Sequence, residues 1–258
     1  MSVYMKKLEL LDISKSFFQS NCKIDVLNKI NFTINDGEMM CILGPNGCGK
    51  TTLIKIAAGI LMPDEGQVLH NQELVQEPNW NRTVIFQELH LFPWMTTLEN
   101  VMFGLKAKGL PKEKQSRLAK EQLKMLGIEN FSQYYPNQLS LGTKQKAAIA
   151  RAFAVNPDVL LLDEPFSSLD MQSREQFQQE IRNTAKRQKQ TMLFVTHSID
   201  EALFLSDKIL VLSESPANIK EIVELNKSQE RNYGYRHTEN FFNLKKEISG
   251  VLRNGEGL

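Results

Sequence analysis

The sequence predicts an α/β fold: a mostly parallel sheet core that carries a helical insertion. Three observations point to it. The short apolar runs EMMCIL, RTVIFQ, DVLLLD and TMLFVT have the length of buried strands. Segments of helical spacing, KTTLIKIAAG and MQSREQFQQEIRNTAKRQK among them, lie between such runs. From about Glu88 to Asn156 the strands stop and helical spacing takes over.

Taken in order, KKLELLDI alternates as a strand and VLNKINFTI forms a second. Asn35-Asp36-Gly37 marks the turn into EMMCIL, a short apolar strand that runs directly into GPNGCGKTT. KTTLIKIAAG follows as a helix with Gly59 as its stop, and Asp64-Glu65-Gly66 reads as a turn before QVLH. RTVIFQ is a buried strand. TLENVMFGLKAKG, PKEKQSRLAKEQLKMLG and GTKQKAAIARAFA are helices. Strands and helices then alternate again: DVLLLD and TMLFVT are short apolar strands separated by the polar helix MQSREQFQQEIRNTAKRQK, and HSIDEALFL, KILVLS and KEIVEL follow. The tail from about Asn226 is polar, with a short helix around NFFNLKKEISGVL. RNYGYRH, mixing aromatic and basic residues, reads as a surface loop rather than an RNA-binding element. One domain over 1–258 is expected, with an α/β core from 1–87 and 157–225, a helical subdomain at 88–156 and a tail at 226–258.

The composition is that of an ordinary globular protein, with 41% hydrophobic and 24% charged residues in 258. A net charge of +1, from 31 basic and 30 acidic residues, leaves no electrostatic footprint for nucleic acid, and no nucleic-acid partner is expected. Cys22, Cys41 and Cys48 make neither a disulfide framework nor a zinc site, which fits a reducing, cytosolic compartment. MSVYMKKLELLDI lacks the apolar stretch of a signal peptide. No run approaches the roughly 18 apolar residues of a membrane span, so work at a membrane is expected to go through a partner.

Gly44 to Thr51, GPNGCGKT, fits the G-x-x-x-x-G-K-[ST] phosphate-binding loop, with a strand before it and a helix after it. Glycines let backbone N–H groups approach phosphate oxygens, and the helix N-terminus favours an anion. Lys50 is expected to reach the β- and γ-phosphates, and the Thr51 hydroxyl to ligate magnesium. A glycine loop without a ligand is the bland alternative. VLLLDE, Val159 to Glu164, supplies the other half: Asp163 falls at the C-terminal end of a buried strand, where ligands of open α/β sheets gather. Asp163 is expected to hold the magnesium through water, and Glu164 to orient and deprotonate the attacking water. Gln87 ends RTVIFQ and His197 follows TMLFVT. Both point to the same sheet edge, Gln87 toward metal or water and His197 toward the γ-phosphate.

GPNGCGKTT, Gln87, LSLGTKQKAAIARA, VLLLDEPFSSLD and His197 together, in this order and spacing, resemble the nucleotide-binding subunit of an ABC transporter. The resemblance implies a P-loop NTPase with a RecA-like core, an N-terminal antiparallel β subdomain and an inserted helical signature subdomain. It implies ATP and Mg2+ as cofactors. Gly44, Pro45, Asn46, Gly47, Cys48, Gly49, Lys50, Thr51 and Thr52 then hold the nucleotide. Phe17 matches the aromatic that stacks on adenine, with Phe18 as its rival. Ser140 and Gly142 match signature residues that contact the γ-phosphate bound to the other subunit. Asp170 matches the loop crossing the dimer interface, Glu164 the general base and His197 the switch histidine. Thr51, Gln87 and Asp163 are the metal candidates.

FPWMTTLEN, in the "FPW-x-T-x-x-EN" pattern, resembles importers of the nitrate, sulfonate, taurine and bicarbonate class. This implies an ATPase at the cytoplasmic face of the membrane, working as a homodimer or beside a related subunit. Its partners would be a membrane permease, docked near Gln87–Trp94, and an extracytoplasmic solute-binding protein. Leu91, Phe92 and Trp94 are the candidate coupling contacts, against the alternative that Phe92 and Trp94 are core. A soluble ABC-type ATPase acting on ribosomes or DNA, or an exporter subunit, are the rival readings. Leu141 stands where the signature usually has glycine, and Thr143 where it most often has Gln. Leu141 is expected to turn away from the nucleotide and pack toward the helical lobe.

Overall fold

The computed structural model describes residues 5–19, 22–167, 169–226 and 229–253. Strands β1 (Lys6–Gln19), β2 (Cys22–Asn35), β4 (Glu65–His70) and β5 (Glu73–Leu74) form an antiparallel sheet in the order β2-β1-β4-β5. The second sheet has six strands in the order β10-β9-β3-β8-β7-β6. These are β3 (Met39–Leu43), β6 (Arg82–Ile85), β7 (Val159–Asp163), β8 (Thr191–Thr196), β9 (Lys208–Leu212) and β10 (Ile219–Glu224). Its pairs are parallel except β9 with β10.

Alternation along the buried strands sorts their side chains into two cores. Cys41, Leu43, Leu160, Leu162, Met192 and Phe194 face one side. There the sheet meets the helices α2 (Thr97–Ala107), α3 (Lys112–Met125), α4 (Leu141–Ala154), α5 (Met171–Gln188) and α6 (Ile199–Leu205). Met40, Ile42, Leu161, Leu193 and Val195 face α1 (Lys50–Ala58) and the antiparallel sheet. Each buried Leu, Ile, Val, Phe or Met side chain contributes about 1.5–3 kcal/mol relative to exposure. Helices α2 to α4 enter between β6 and β7 in sequence, as the change of character near Glu88 predicts.

Two local expectations need correction. Asp64-Glu65-Gly66 is not a free turn, because Glu65 and Gly66 already belong to β4. Gly66 has φ +87, and a Cβ there would lie 2.3 Å from the Leu11 carbonyl oxygen. The glycine is needed where the β1–β4 ladder shifts register between Leu11 and Ser14. RNYGYRH is not a surface loop. It forms a 3₁₀ helix, Tyr233–His237, with Tyr235 and the preceding Arg231 buried. Arg231 donates to the Ser206 carbonyl just past α6, and Tyr235 packs edge-on to Phe241 of α7 (Glu239–Arg253). The polar-looking tail thus carries an aromatic anchor, and Phe241 and Ile248 join the core.

His70 links the two sheets. From β4 it reaches Asp158 just ahead of β7 (3.3 Å) and Arg82 of β6 (3.3 Å). Burial first, and then the Arg82 charge, push its imidazole below 6.5, with Lys7 adding to this while Asp158 and Glu73 oppose it. A base with a depressed folded-state pKa protonates preferentially when unfolded. Its stabilising contribution is present above the unfolded value and is lost as pH falls through and below about 6.5. Thermal unfolding from pH 7.5 down to 5 should therefore show a falling Tm, and His70→Gln should flatten that slope. An unchanged slope would remove His70 as its cause.

A candidate phosphate-binding edge and a separate capped helix

The loop of residues 44–49 joins β3 to α1. Gly49 caps α1 at φ +103, where a Cβ would lie 2.8 Å from Val26 Cγ1 and 2.9 Å from Leu27 Cδ2. Only glycine fits both that conformation and that space. Gly47 also has positive φ, +78. Gly44 lies close to Cys48 Sγ, and Cys48 is buried, with burial pushing its thiol up and away from reactivity. Lys50 folds back over the loop and donates to the Gly44 (2.9 Å) and Pro45 (2.8 Å) carbonyls. Its ammonium is thereby held across the mouth of a loop whose helix has no acidic residue in its first turn.

Thr51, in the first turn of α1, donates to Asp163 Oδ1 at 3.1 Å. Burial raises the Asp163 carboxyl above its ordinary value, and the Thr51 hydroxyl opposes this. Glu164 follows in a left-handed backbone, φ 46, its N–H donating to the Val195 carbonyl (3.1 Å). That conformation costs a non-glycine residue about 1 kcal/mol. It turns the Glu164 carboxylate off the strand axis to within 3.4 Å of His197 Nδ1. The His197 side chain is 58% exposed and the Glu164 side chain 20%.

The structure thus brings Lys50, Thr51, Asp163, Glu164 and His197 to one edge. Gln87 lies two residues beyond β6, exposed, and makes no hydrogen bond to any of them. Phe17 pairs with Ile24, two residues before Val26, so its hairpin runs along the outside of the loop. Phe17 is 40% exposed with Lys15 Nζ 5.7 Å from its ring, whereas neighbouring Phe18 is 78% exposed.

Ser140 and Gly142 stand elsewhere. Ser140 caps α4 by accepting from the Thr143 N–H (3.2 Å) and lies 2.9 Å from Thr143 Oγ1. With Gly142 it borders a cavity of about 250 Å³ shared with Leu169 and Ser173, and no residue of the 44–52 loop lines it. Asp170 caps α5 by accepting from the Ser173 N–H (3.0 Å). Leu141 does not pack toward the helical lobe. It is the first residue of α4, where no preceding turn covers it, and is 48% exposed. Its φ is not positive, so its N–H keeps helical geometry.

The loop after Gln87 is built by two residues that sequence reading missed. Asn100, fully buried, accepts from the Phe92 N–H and donates to the carbonyls of Phe92, Met95 and Thr96. Arg151 of α4 donates to the carbonyls of Leu89 and His90. A lone Asn and a lone Arg inside otherwise apolar helical faces were the available signals. The loop sorts the coupling candidates: Leu91 packs on the core, Phe92 is half-buried between Trp94 and Phe103, and Trp94 is 69% exposed.

This edge, with glycine loop, lysine, hydroxyl and carboxylates at the ends of parallel strands, defines a P-loop ATPase, and the separate capped helix narrows the class. The family model for the ABC transporter matches residues 27–167. An uncharacterized ABC transporter ATP-binding protein, MJ0412, of Methanocaldococcus jannaschii is 42% identical over 247 residues, 96% of this chain and 91% of that protein. The nitrate import ATP-binding protein NrtD of Synechocystis sp. is 36% identical over 255 residues, 96% of each chain. The aliphatic sulfonates import ATP-binding protein SsuB of Bacillus anthracis is 38% identical over 245 residues, 95% of each. The solved dimer of the ATP-binding cassette MJ0796 in a post-hydrolysis state with ADP and Pi superposes with TM-score 0.76 at 30% identity, covering 85% of this chain and 99% of that one. The chain belongs to the ABC transporter family, as an ATP-binding subunit with ATPase activity coupled to transport.

Replacing Lys50 by Ala removes the ammonium from the loop. Charge-assisted hydrogen bonds are worth about 1.5–3 kcal/mol each, so equilibrium binding should show ATP affinity falling by roughly 100-fold or more. Unchanged affinity would count against this loop as the nucleotide site.

Proposed function

We propose that this chain hydrolyses ATP to energise import of a small solute, of the nitrate, sulfonate or taurine kind, through a separate membrane permease. The observation that carries the reading is the split of anion-binding elements. The 44–51 loop and the start of α4 each present unpaired helix N–H groups with no acidic residue in the first turn, yet they share no cavity. A nucleotide touching both needs two subunits, head to tail, as a homodimer or with a related subunit. The dimeric structural relative and the named importers support this. A solute-binding protein outside the membrane would complete the system.

Thr51 and Asp163 fit Mg2+. They offer a hydroxyl and a carboxylate oxygen side by side, and the ion takes few protein ligands when phosphates and water supply the rest. Among the described residues no group of three His, Cys, Asp or Glu would hold a metal by itself. Bound there, the ion would offset phosphate charge. Lys50 holds the β- and γ-phosphates, and Gln87 and His197 flank the reacting edge. Glu164 accepts the proton of the attacking water at its carboxylate, which the left-handed backbone aims away from the sheet. Ser140 can accept both bonds from Thr143 and keep its own hydrogen to donate to a γ-phosphate across the interface. Gly142 and Leu141 add backbone N–H groups. Asp170 and Phe17 complete the interface and the adenine site.

No helix among the described residues is long and apolar enough to cross a membrane. Attachment to the cytoplasmic face would therefore run through the permease. Trp94 and Phe103, exposed beside an apolar cavity of about 420 Å³ lined by Phe86, Leu89 and Phe92, are the surface we assign to it.

Glu164→Gln should slow hydrolysis by roughly 10²–10⁴-fold, the usual worth of a general base, and leave a dimer that ATP holds together in gel filtration. Near-normal turnover would sink Glu164 as the base. Leu141→Gly should change turnover by less than about fivefold, about 1 kcal/mol, because the replaced side chain faces outward. A steep rise would show that Leu141 impedes closure.

A further inference from the structure

His197 is exposed, with its Nδ1 3.4 Å from Glu164, yet the residues on either side of it are tightly held. The Ser198 N–H donates to Thr196 Oγ1 (3.1 Å), and Thr196 Oγ1 donates to Glu201 Oε2 (2.6 Å). Glu201 is buried on α6, and its other oxygen accepts from Gln178 Nε2 of α5 (3.1 Å). Gln178, wholly buried, in turn accepts at Oε1 from Arg236 Nη2 in the C-terminal 3₁₀ helix. Arg236 also pairs with Glu175 (2.9 Å) and lies over the Phe204 ring of α6, 4.5 Å from its centroid. Arg174 makes a second branch. Its Nε is 3.9 Å from Glu201 Oε1, and its Nη2 donates to the Leu169 carbonyl (2.8 Å), next to Asp170.

We propose that Glu201 is a positioning residue that ties the His197 backbone, the Asp170 loop and the C-terminal segment into one unit, with Arg236 as its outermost member. This rests on the reading of His197 and Asp170 given above and deepens it. The hydrogen bonds run one way from Arg236 through Gln178 to Glu201, and from Ser198 through Thr196 to the same carboxylate. The two chains end on the two oxygens of one carboxylate, while Arg236 Nε is left without a partner. Burial pushes the Glu201 carboxyl up, opposed by the Thr196 hydroxyl and then by Arg174, so the charge on this hub depends on its partners. An apolar contact between α5 and α6 would hold those helices as well. It would not fix the backbone on both sides of an exposed histidine. A segment at the far end of the chain therefore sets how far His197 can swing, and the same carboxylate is linked to the loop expected at the interface.

The chain has four histidines, His70, His90, His197 and His237, so ring resonances of the labelled full chain report on His197 individually, assigned by their loss in His197→Ala. Arg236→Met should shift the His197 resonances, leave those of His70 and His90 in place, and lower kcat about tenfold with KM for ATP unchanged, the scale of a misplaced catalytic group. Arg236→Lys, which keeps the charge but loses the planar fork, should fall between. If Arg236→Met does not fold, Gln178→Leu interrupts the same chain. Unmoved His197 resonances overturn the proposal whatever the rate does. Normal turnover in His197→Ala removes the reading of His197 itself, a different outcome from a silent Arg236→Met.

Discussion

The register of three adjacent parallel strands governs everything at the site. Leu43 of β3 stands beside Thr196 of β8, and Asp163 of β7 beside Val195. The glycine loop, the Asp163-Glu164 pair and His197 leave the sheet at one level because of that pairing. A slip of one residue would move a carboxylate about 3.3 Å along the strand and exchange every side chain between the two cores. Both faces of the sheet are apolar, so polarity alone does not hold the register. Shape does: Phe194 fills the helical side, while Val195 and Leu193 meet α1 and the antiparallel sheet.

On this frame the electrostatics of the edge suit an anion. Lys50 is tethered only to backbone carbonyls, and neither α1 nor α4 carries an acid in its first turn. Asp163 keeps its carboxylate at a cost in burial, offset by the Thr51 hydroxyl. A phosphate with its counter-ion relieves both conditions together. The start of α4 also lacks an acid, but it is capped by Ser140 and borders a different cavity. Within one chain the two elements stay apart, since packed cores resist bending.

The end of the chain contributes more than its composition suggests. Arg231 and Arg236 reach the C-terminal side of α6 and its ring at Phe204, and Tyr235 and Phe241 seal the contact. Burial brings Arg182, whose Nη1 donates to the Leu205 carbonyl in the same region, down to about 10. Cations gathered at a helix C-terminus interact favourably with its dipole. The tail thus holds α6, the helix that follows His197.

The sequence by itself determined most of the strands and helices and the place of the glycine loop. Apolar runs of strand length, the glycines around Lys50 and the acids after VLLL are local patterns with local physical causes. The ABC resemblance, carried by five spaced motifs, identified the family. Other features were not legible. Gly66 read as a turn because its role is a close approach to Leu11, a residue far away in sequence. Leu141 read as packed because nothing local says which way the first residue of a helix faces. RNYGYRH read as surface because its partners lie on α5, α6 and α7. The contacts of Asn100, Arg151, Gln178 and Glu201 were hidden for the same reason. A polar side chain in an apolar stretch announces that it needs a partner, and only the tertiary structure decides which one, because hydrogen bonds of that kind are satisfied across space and not along the chain.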